Sequence, residues 1–233
     1  MIINSQKRAF GRGARVSLFT LGTMRATESL ETMYNIIKNA HFVGINHIET
    51  APSYGDAELL IGKSIKKLST KDNIKEQNWV ITTKVLPKGD FDFLKNNFQN
   101  SLKNLNREKI NNLAIHGLNL QEHLDWVLAG EGKKFISWIL EKKLVDQVGF
   151  SSHGSYSLIK DAINCEVFSF CSLHLHYLDQ SKITLAEEAI KKGMGVLAIS
   201  PADKGGRLYS PSDILLEASK PFHPLELAYR FLL

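Results

Sequence analysis

Short apolar runs alternate along this chain with longer stretches in which apolar positions recur every three or four residues. The short runs, near 17–21, 45–49, 79–83, 110–115, 146–150, 167–173 and 194–199, predict strands. The longer stretches, near 27–40, 56–68, 91–105, 132–143, 155–163 and 182–192, predict amphipathic helices. Thr27 before Glu28 and Glu31 marks a helix start, and Gly193 after Lys191 and Lys192 a helix stop. Strands that alternate with helices call for a parallel sheet. Polar residues close four of these strand units, and Glu49, Lys84, His116 and Ser151 are separated by 35, 32 and 35 residues. That regular beat predicts an α/β barrel of the (β/α)8 TIM type, whose strand C-termini form one rim.

The segment from Lys7 to Val16 is polar and punctuated by Gly11 and Gly13, which reads as a β-hairpin capping one barrel end. Beyond the seventh strand come a loop, Pro201 to Ser210, and an apolar run from Pro224 to Leu233 that reads as a helix packed outside the last strands. The pattern holds no eighth strand, so the expected fold is one barrel domain over residues 1–233, truncated after the seventh strand and helix. Such a barrel leaves two strand edges unpaired and its core open. Marginal stability follows, or closure of that edge by a protein partner or a second copy.

If the strands are parallel neighbours, a carboxylate (Glu49), a phenol (Tyr54), an ammonium (Lys84) and an imidazole (His116) converge at the rim. That set can deliver a proton. A phenol has an ordinary pKa of about 10, so at neutral pH it needs a cation beside it to stabilise the developing phenolate. Lys84 is that cation in this reading, Glu49 holds it, and His116 orients a carbonyl oxygen by donating a hydrogen bond.

From about Arg8 onward these residues resemble the aldo-keto reductase superfamily. The resemblance is carried by a Gly-rich start, Glu49-Thr50-Ala51, Tyr54-Gly55 with Glu58, Lys84 and His116. The forms Gly44-Ile45-Asn46-His47-Ile48-Glu49-Thr50-Ala51 and His116-Gly117-Leu118-Asn119 are most similar to a branch that often carries a C-terminal iron-sulfur extension, which this sequence does not contain. Most of the family has aspartate where Glu49 stands. The resemblance implies hydride transfer between NADPH, with NADH as the alternative, and a small carbonyl or alcohol substrate. It also implies a set of cofactor contacts. Gly22, Thr23 and Met24 would lie beside the nicotinamide, and Ser151 and Ser152 would replace the family's Ser-Asn pair at the carboxamide. Ser172 stands where the family often has glutamine, and Ile199 where an aromatic residue often stacks. Ser200, Pro201, Lys204, Gly206 and Arg207 would line the pyrophosphate. The usual contacts to an adenosine 2′-phosphate follow the eighth strand, so the preference for NADPH rests on resemblance alone.

Composition narrows the alternatives. The net charge of +5 comes with lysines spread along helical segments and no aromatic-basic module, which argues against a nucleic-acid partner. No signal peptide and no run of about 18 apolar residues is present, so a cytoplasmic protein without a membrane span is expected. Cys165 and Cys171 form no Cys-x-x-Cys pair and read as reduced thiols. There is no Gly-x-Gly-x-x-Gly fingerprint, so a dinucleotide would be held by a barrel rim. His174 and His176 share a strand face and could, with His116 and His153, be imagined as ligands in a metal-dependent barrel hydrolase. No acidic metal ligand accompanies them at a fixed spacing, so no metal is expected. Trp79, Trp126 and Trp138 read as packing residues, although Trp126 with Gly130-Glu131-Gly132 offers a substrate-loop contribution. A further rival is a non-catalytic barrel that binds the dinucleotide and acts through a partner.

Overall fold

The computed structural model describes residues 6–25 and 29–233, with residues 204 and 205 described by backbone alone. A short antiparallel ribbon, β1 (Lys7–Arg8) with β2 (Val16–Ser17), confirms the hairpin. Seven parallel strands follow: β3 (Thr20–Gly22), β4 (His47–Glu49), β5 (Val80–Val85), β6 (Ile110–Ile115), β7 (Val145–Ser152), β8 (Phe170–His174) and β9 (Gly195–Ile199). They pair strictly in chain order from β3 to β9. All seven predicted strands are present, in a curled parallel sheet of the (β/α)8 type that has seven strands among the described residues.

The helices run outside the sheet: α1 (Leu30–Phe42), α2 (Ala57–Lys71), α3 (Phe91–Leu105), α4 (Gln121–Leu128), α5 (Glu131–Glu141), α6 (Tyr156–Asn164), α7 (Ile183–Lys191), α8 (Asp213–Ala218) and α9 (Pro224–Leu232). Helix α1 begins later than expected. Ser29 is its N-cap, accepting a hydrogen bond from Thr32 N at 3.0 Å, while Thr27 and Glu28 lie outside the described residues. Helices α4 and α8 were not expected, because each is only a turn or two long and offers a short apolar period. The segment read as a plain loop after β9 contains a 3₁₀ helix, Lys204–Tyr209.

Alternation along each strand sorts the core into two layers. Ile48, Ile81, Val85, Leu113, Ile115, Val148, Phe150 and Leu173 face the helices and join one large cluster with their buried faces. The opposite face of the sheet holds Val80, Ala114 and Phe170, against which the hairpin inserts Phe10. Above that apolar plug runs a buried polar belt. Thr20 Oγ1 meets His47 Nδ1 at 2.8 Å, and His47 Nε2 meets Thr82 Oγ1 at 2.7 Å. Asn112 donates to Thr82 Oγ1 at 3.0 Å, and Gln147 donates to Asn112 Oδ1 at 2.8 Å and to Phe10 O at 2.9 Å. Buried polar groups are tolerated only when paired, and each member here has its partner. Burial drives the His47 pKa down to about 3, so its ring is neutral.

Among the described residues, neither β3 nor β9 has a strand on its outer edge. Helix α9 does not simply pack outside the last strands as expected; it connects the two sides of the opening. Tyr229 meets Phe19 edge-on at 5.5 Å, Ala228 packs with Ala202 and Leu208, and Arg8 donates to Leu233 O at 2.8 Å. No helix of the described residues is long and apolar enough to cross a membrane.

Candidate active site

Parallel register puts the expected groups at one end of the sheet. Glu49 pairs opposite Thr82 and Lys84 opposite Ala114, while His116 directly follows β6. Alternation aims all three side chains at the interior. Tyr54 arrives on the turn between β4 and α2: Tyr54 N donates to Ala51 O at 3.0 Å, and Ala57 N donates to Tyr54 O at 3.2 Å. Gly55 completes that turn at φ +59°, a conformation that costs an L side chain about 1–2 kcal/mol. The tyrosine is therefore placed by backbone geometry as well as by packing.

Lys84 is 2% exposed and its ammonium is saturated. It forms an ion pair with Glu49 and donates to Thr50 O at 3.0 Å and to Tyr54 OH at 2.8 Å. An ammonium has three protons and no lone pair, so these three acceptors use all of them. The longer side chain of Glu49 still reaches Lys84. Because the phenol oxygen accepts from Lys84, its own proton must point elsewhere, and the open direction is the cavity.

His116 stands edge-on to the Tyr54 ring, with centroids 5.9 Å apart. Its Nδ1 lies 3.4 Å from Ser53 Oγ. Burial, then the positive charge of Lys84 and the neighbouring His153, lower its pKa to about 4. The ring is thus neutral near pH 7, and in the tautomer where Ser53 donates to Nδ1, Nε2 carries the proton and can serve as a donor.

A cavity of about 1520 Å³ opens over these groups and continues to the gap between β3 and β9. Of the expected cofactor residues, Gly22, Met24, Ser151, Ser172, Ile199, Ser200, Pro201 and Gly206 line it. Ser172 is 1% exposed and its hydroxyl has no hydrogen-bond partner among the described residues. Ser151 Oγ accepts from Gly117 N at 3.0 Å and keeps its own proton to donate.

Other expected contacts are not brought there. Thr23 is fully buried, with its hydroxyl donating to Glu49 O at 3.0 Å. Ser152 faces the helices, donating to Leu118 O at 2.6 Å and accepting from Gly154 N at 3.0 Å. One-residue alternation explains this, since Ser151 faces inward and its neighbour must face out. Arg207 borders a separate shallow depression with Leu178 and Leu215, and the Lys204 side chain is outside the described residues. Trp126 belongs to α4 and packs on the core, Glu131 accepts from Phe91 N at 3.1 Å, and neither lines the cavity. Sequence reasoning gave Ser53 and Asn119 no role of their own at the site and weighed His153 only as a metal ligand. Asn119 Oδ1 accepts from His153 N at 2.7 Å, and both residues line the cavity. Their positions beside His116 and Ser151 were the available signal.

The model of the aldo/keto reductase family matches residues 19–212. "Aldo-keto reductase str7" of Strobilurus tenacellus is 24% identical over 213 residues, 88% of this chain; the chain spans 61% of that relative's length. The holo form of aldo-keto reductase AKR11C1 from Bacillus halodurans superposes with a TM-score of 0.83 at 19% identity, over 98% of this chain and 82% of that one. The Bombyx mori aldo-keto reductase AKR2E4, solved in complex with NADP, gives 0.69 at 20% identity, over 85% and 67%. The neighbours establish a shared fold, and the family match covers Glu49, Tyr54, Lys84 and His116. The chain belongs to the aldo/keto reductase family.

Proposed function

We propose that the chain is an oxidoreductase that moves hydride between a nicotinamide dinucleotide and a carbonyl or alcohol, with Tyr54 as the proton donor. The observation that carries this reading is the saturated Lys84 ammonium, which leaves the phenol proton directed at the cavity. A reduced nicotinamide, when bound, would supply hydride to the carbonyl carbon. Tyr54 gives its proton to the carbonyl oxygen as that oxygen gains charge, and Lys84 stabilises the phenolate left behind. Glu49 and Thr50 O keep the ammonium aimed at Tyr54. The neutral His116 donates a hydrogen bond to the same oxygen and fixes the direction of attack.

The residues present fit a dinucleotide. The unpartnered, buried Ser172 hydroxyl and the donor left on Ser151 suit a carboxamide, which offers both an acceptor and a donor. Gly206, at φ +76°, lets the backbone after β9 approach a pyrophosphate. NADPH is the proposed form, supported by the neighbour solved with NADP.

Tyr54→Phe deletes the acidic proton and little volume. Turnover of a reactive aldehyde should fall about 10²–10⁴-fold, the usual contribution of a general acid, while the fluorescence change on NADPH binding persists. An unchanged rate removes Tyr54 from the mechanism.

A further inference from the structure

His174 and His176 stand two residues apart where β8 ends, both almost fully buried, with ring centroids 4.9 Å apart. The chain then turns back on itself. His176 N donates to Asp179 O at 3.2 Å, and Asp179 N donates to His176 O at 2.9 Å. This reciprocal bridge returns a carboxylate to the two imidazoles, so the expectation that no acidic group accompanies them is corrected. Asp179 Oδ1 accepts from Ser181 N at 3.2 Å and from Ser181 Oγ at 2.7 Å. Those bonds fix the carboxylate with Oδ2 3.8 Å from His174 Nε2. From the segment after β9, Asp203 brings Oδ1 to 3.7 Å from His176 Nε2.

One donor atom from each of His174, His176 and Asp179 lies within 4.8 Å of the other two. The imidazole–carboxylate separations are too long for direct hydrogen bonds. They suit groups gathered about one small ion. Bonds of about 2.0–2.2 Å place neighbouring donors about 3–3.5 Å apart, which small side-chain rotations reach. A ligating carboxylate whose second oxygen is held by hydrogen bonds is a usual feature of metal sites, and Ser181 provides it. Two imidazoles in the donor set select a transition ion over calcium or magnesium, which prefer oxygen alone.

We propose that His174, His176 and Asp179 form a binding site for a divalent transition-metal ion of the zinc class, with Asp203 as the fourth ligand. The ion ties the turn after β8 to the segment after β9 that carries Ser200 and Pro201. Its role is structural: Asp203 lines the cavity but His174, His176 and Asp179 do not, and proton transfer is assigned to Tyr54 with Lys84 behind it. His153, 5.8 Å from the His174 ring, stands at the end of the cluster that faces His116. Coordination through His176 Nε2 shifts the ring proton to Nδ1 and displaces the 3.3 Å contact from Leu178 N. The Leu178 amide is therefore a reporter of binding.

The test uses the full chain, stripped with a chelator and titrated calorimetrically with zinc chloride, then with cobalt chloride under visible absorption. One ion per chain with micromolar or tighter affinity is expected, with a cobalt ligand-field band, a raised melting temperature and a shifted Leu178 amide resonance. His176→Ala and the shape-conserving Asp179→Asn should each weaken binding about 10–100-fold. Circular dichroism identifies a variant that has failed to fold, and Asp179→Asn then decides the matter. Millimolar binding, or binding of equal strength in the folded variants, overturns the site and leaves an imidazole–carboxylate network. None of these measurements depends on turnover, so failure of the proposed reductase activity does not touch this result.

Discussion

Lys84 is the residue on which the site turns, because its three protons serve three different purposes. Glu49 anchors it, Thr50 O sets its direction, and Tyr54 receives its field. Two groups that act through one contact do not contribute independently. Lys84→Met and Glu49→Gln should therefore be strongly non-additive in kcat/KM, the double variant being little worse than Lys84→Met alone; simple addition of the two losses would refute the pairing. His116 makes a second prediction. Its pKa is lowered to about 4 by burial, Lys84 and His153, so it stays neutral through the region near pH 6.5 where an ordinary histidine titrates. The pH profile of kcat/KM should show no acid limb near 6.5 that vanishes in His116→Asn. Glu49, Lys84 and His116 were legible because they close consecutive strand units at a steady spacing, and Tyr54 because it follows Glu49 by five residues. The inward or outward facing of Thr23 and Ser152 was not, since it depends on strand ends defined by pairing and not by hydropathy.

At the level of elements, the start of α2 is fastened to β5 behind the site. Glu58, in the first turn of α2, is 2% exposed and accepts from Thr83 Oγ1 at 2.6 Å, directly beside Lys84. Burial raises its pKa, opposed by Thr83, Ser101 and Asn104. One contact thus links the helix that follows Tyr54 to the strand that carries Lys84. Glu58→Ala leaves the Thr83 hydroxyl unpaired and opens a void, which should cost about 2–4 kcal/mol in urea unfolding. A loss below about 0.5 kcal/mol would show that the link does not hold the two elements together. The long elements were readable: α3 matches its predicted span, and six predicted amphipathic stretches became helices. Helices α4 and α8 were not, because one or two turns give too few apolar repeats to stand out from a loop. The turn that joins His176 to Asp179 was hidden for another reason. It is made by backbone bonds, which side-chain patterns do not report.

At the scale of the molecule, the seven described strands carry both the polar belt and the site above it. The belt has a pH signature. His47 is fully buried and neutral with a pKa near 3, whereas unfolded histidine binds a proton below about 6.5. Between those values the unfolded state holds more protons, so stability must fall as pH is lowered. By pH about 4.5 the loss from this group is about 2–3 kcal/mol, and melts of His47→Gln should show a correspondingly weaker acid dependence; equal slopes for both proteins would exclude His47 as the cause. The parallel sheet and its strand order could be read from the alternation of runs, but the belt could not, because Thr20, His47, Asn112 and Gln147 look unremarkable until a sheet aligns them. The central claim is that Tyr54, backed by Lys84, protonates a carbonyl oxygen in this chain. A single-turnover experiment tests it most directly: NADPH-loaded protein is mixed with a reactive aldehyde and the loss of NADPH absorbance is followed for wild type and Tyr54→Phe. The account predicts decay in the wild type that is about 10²–10⁴-fold faster than in the variant. Equal rates at equal NADPH occupancy would contradict it.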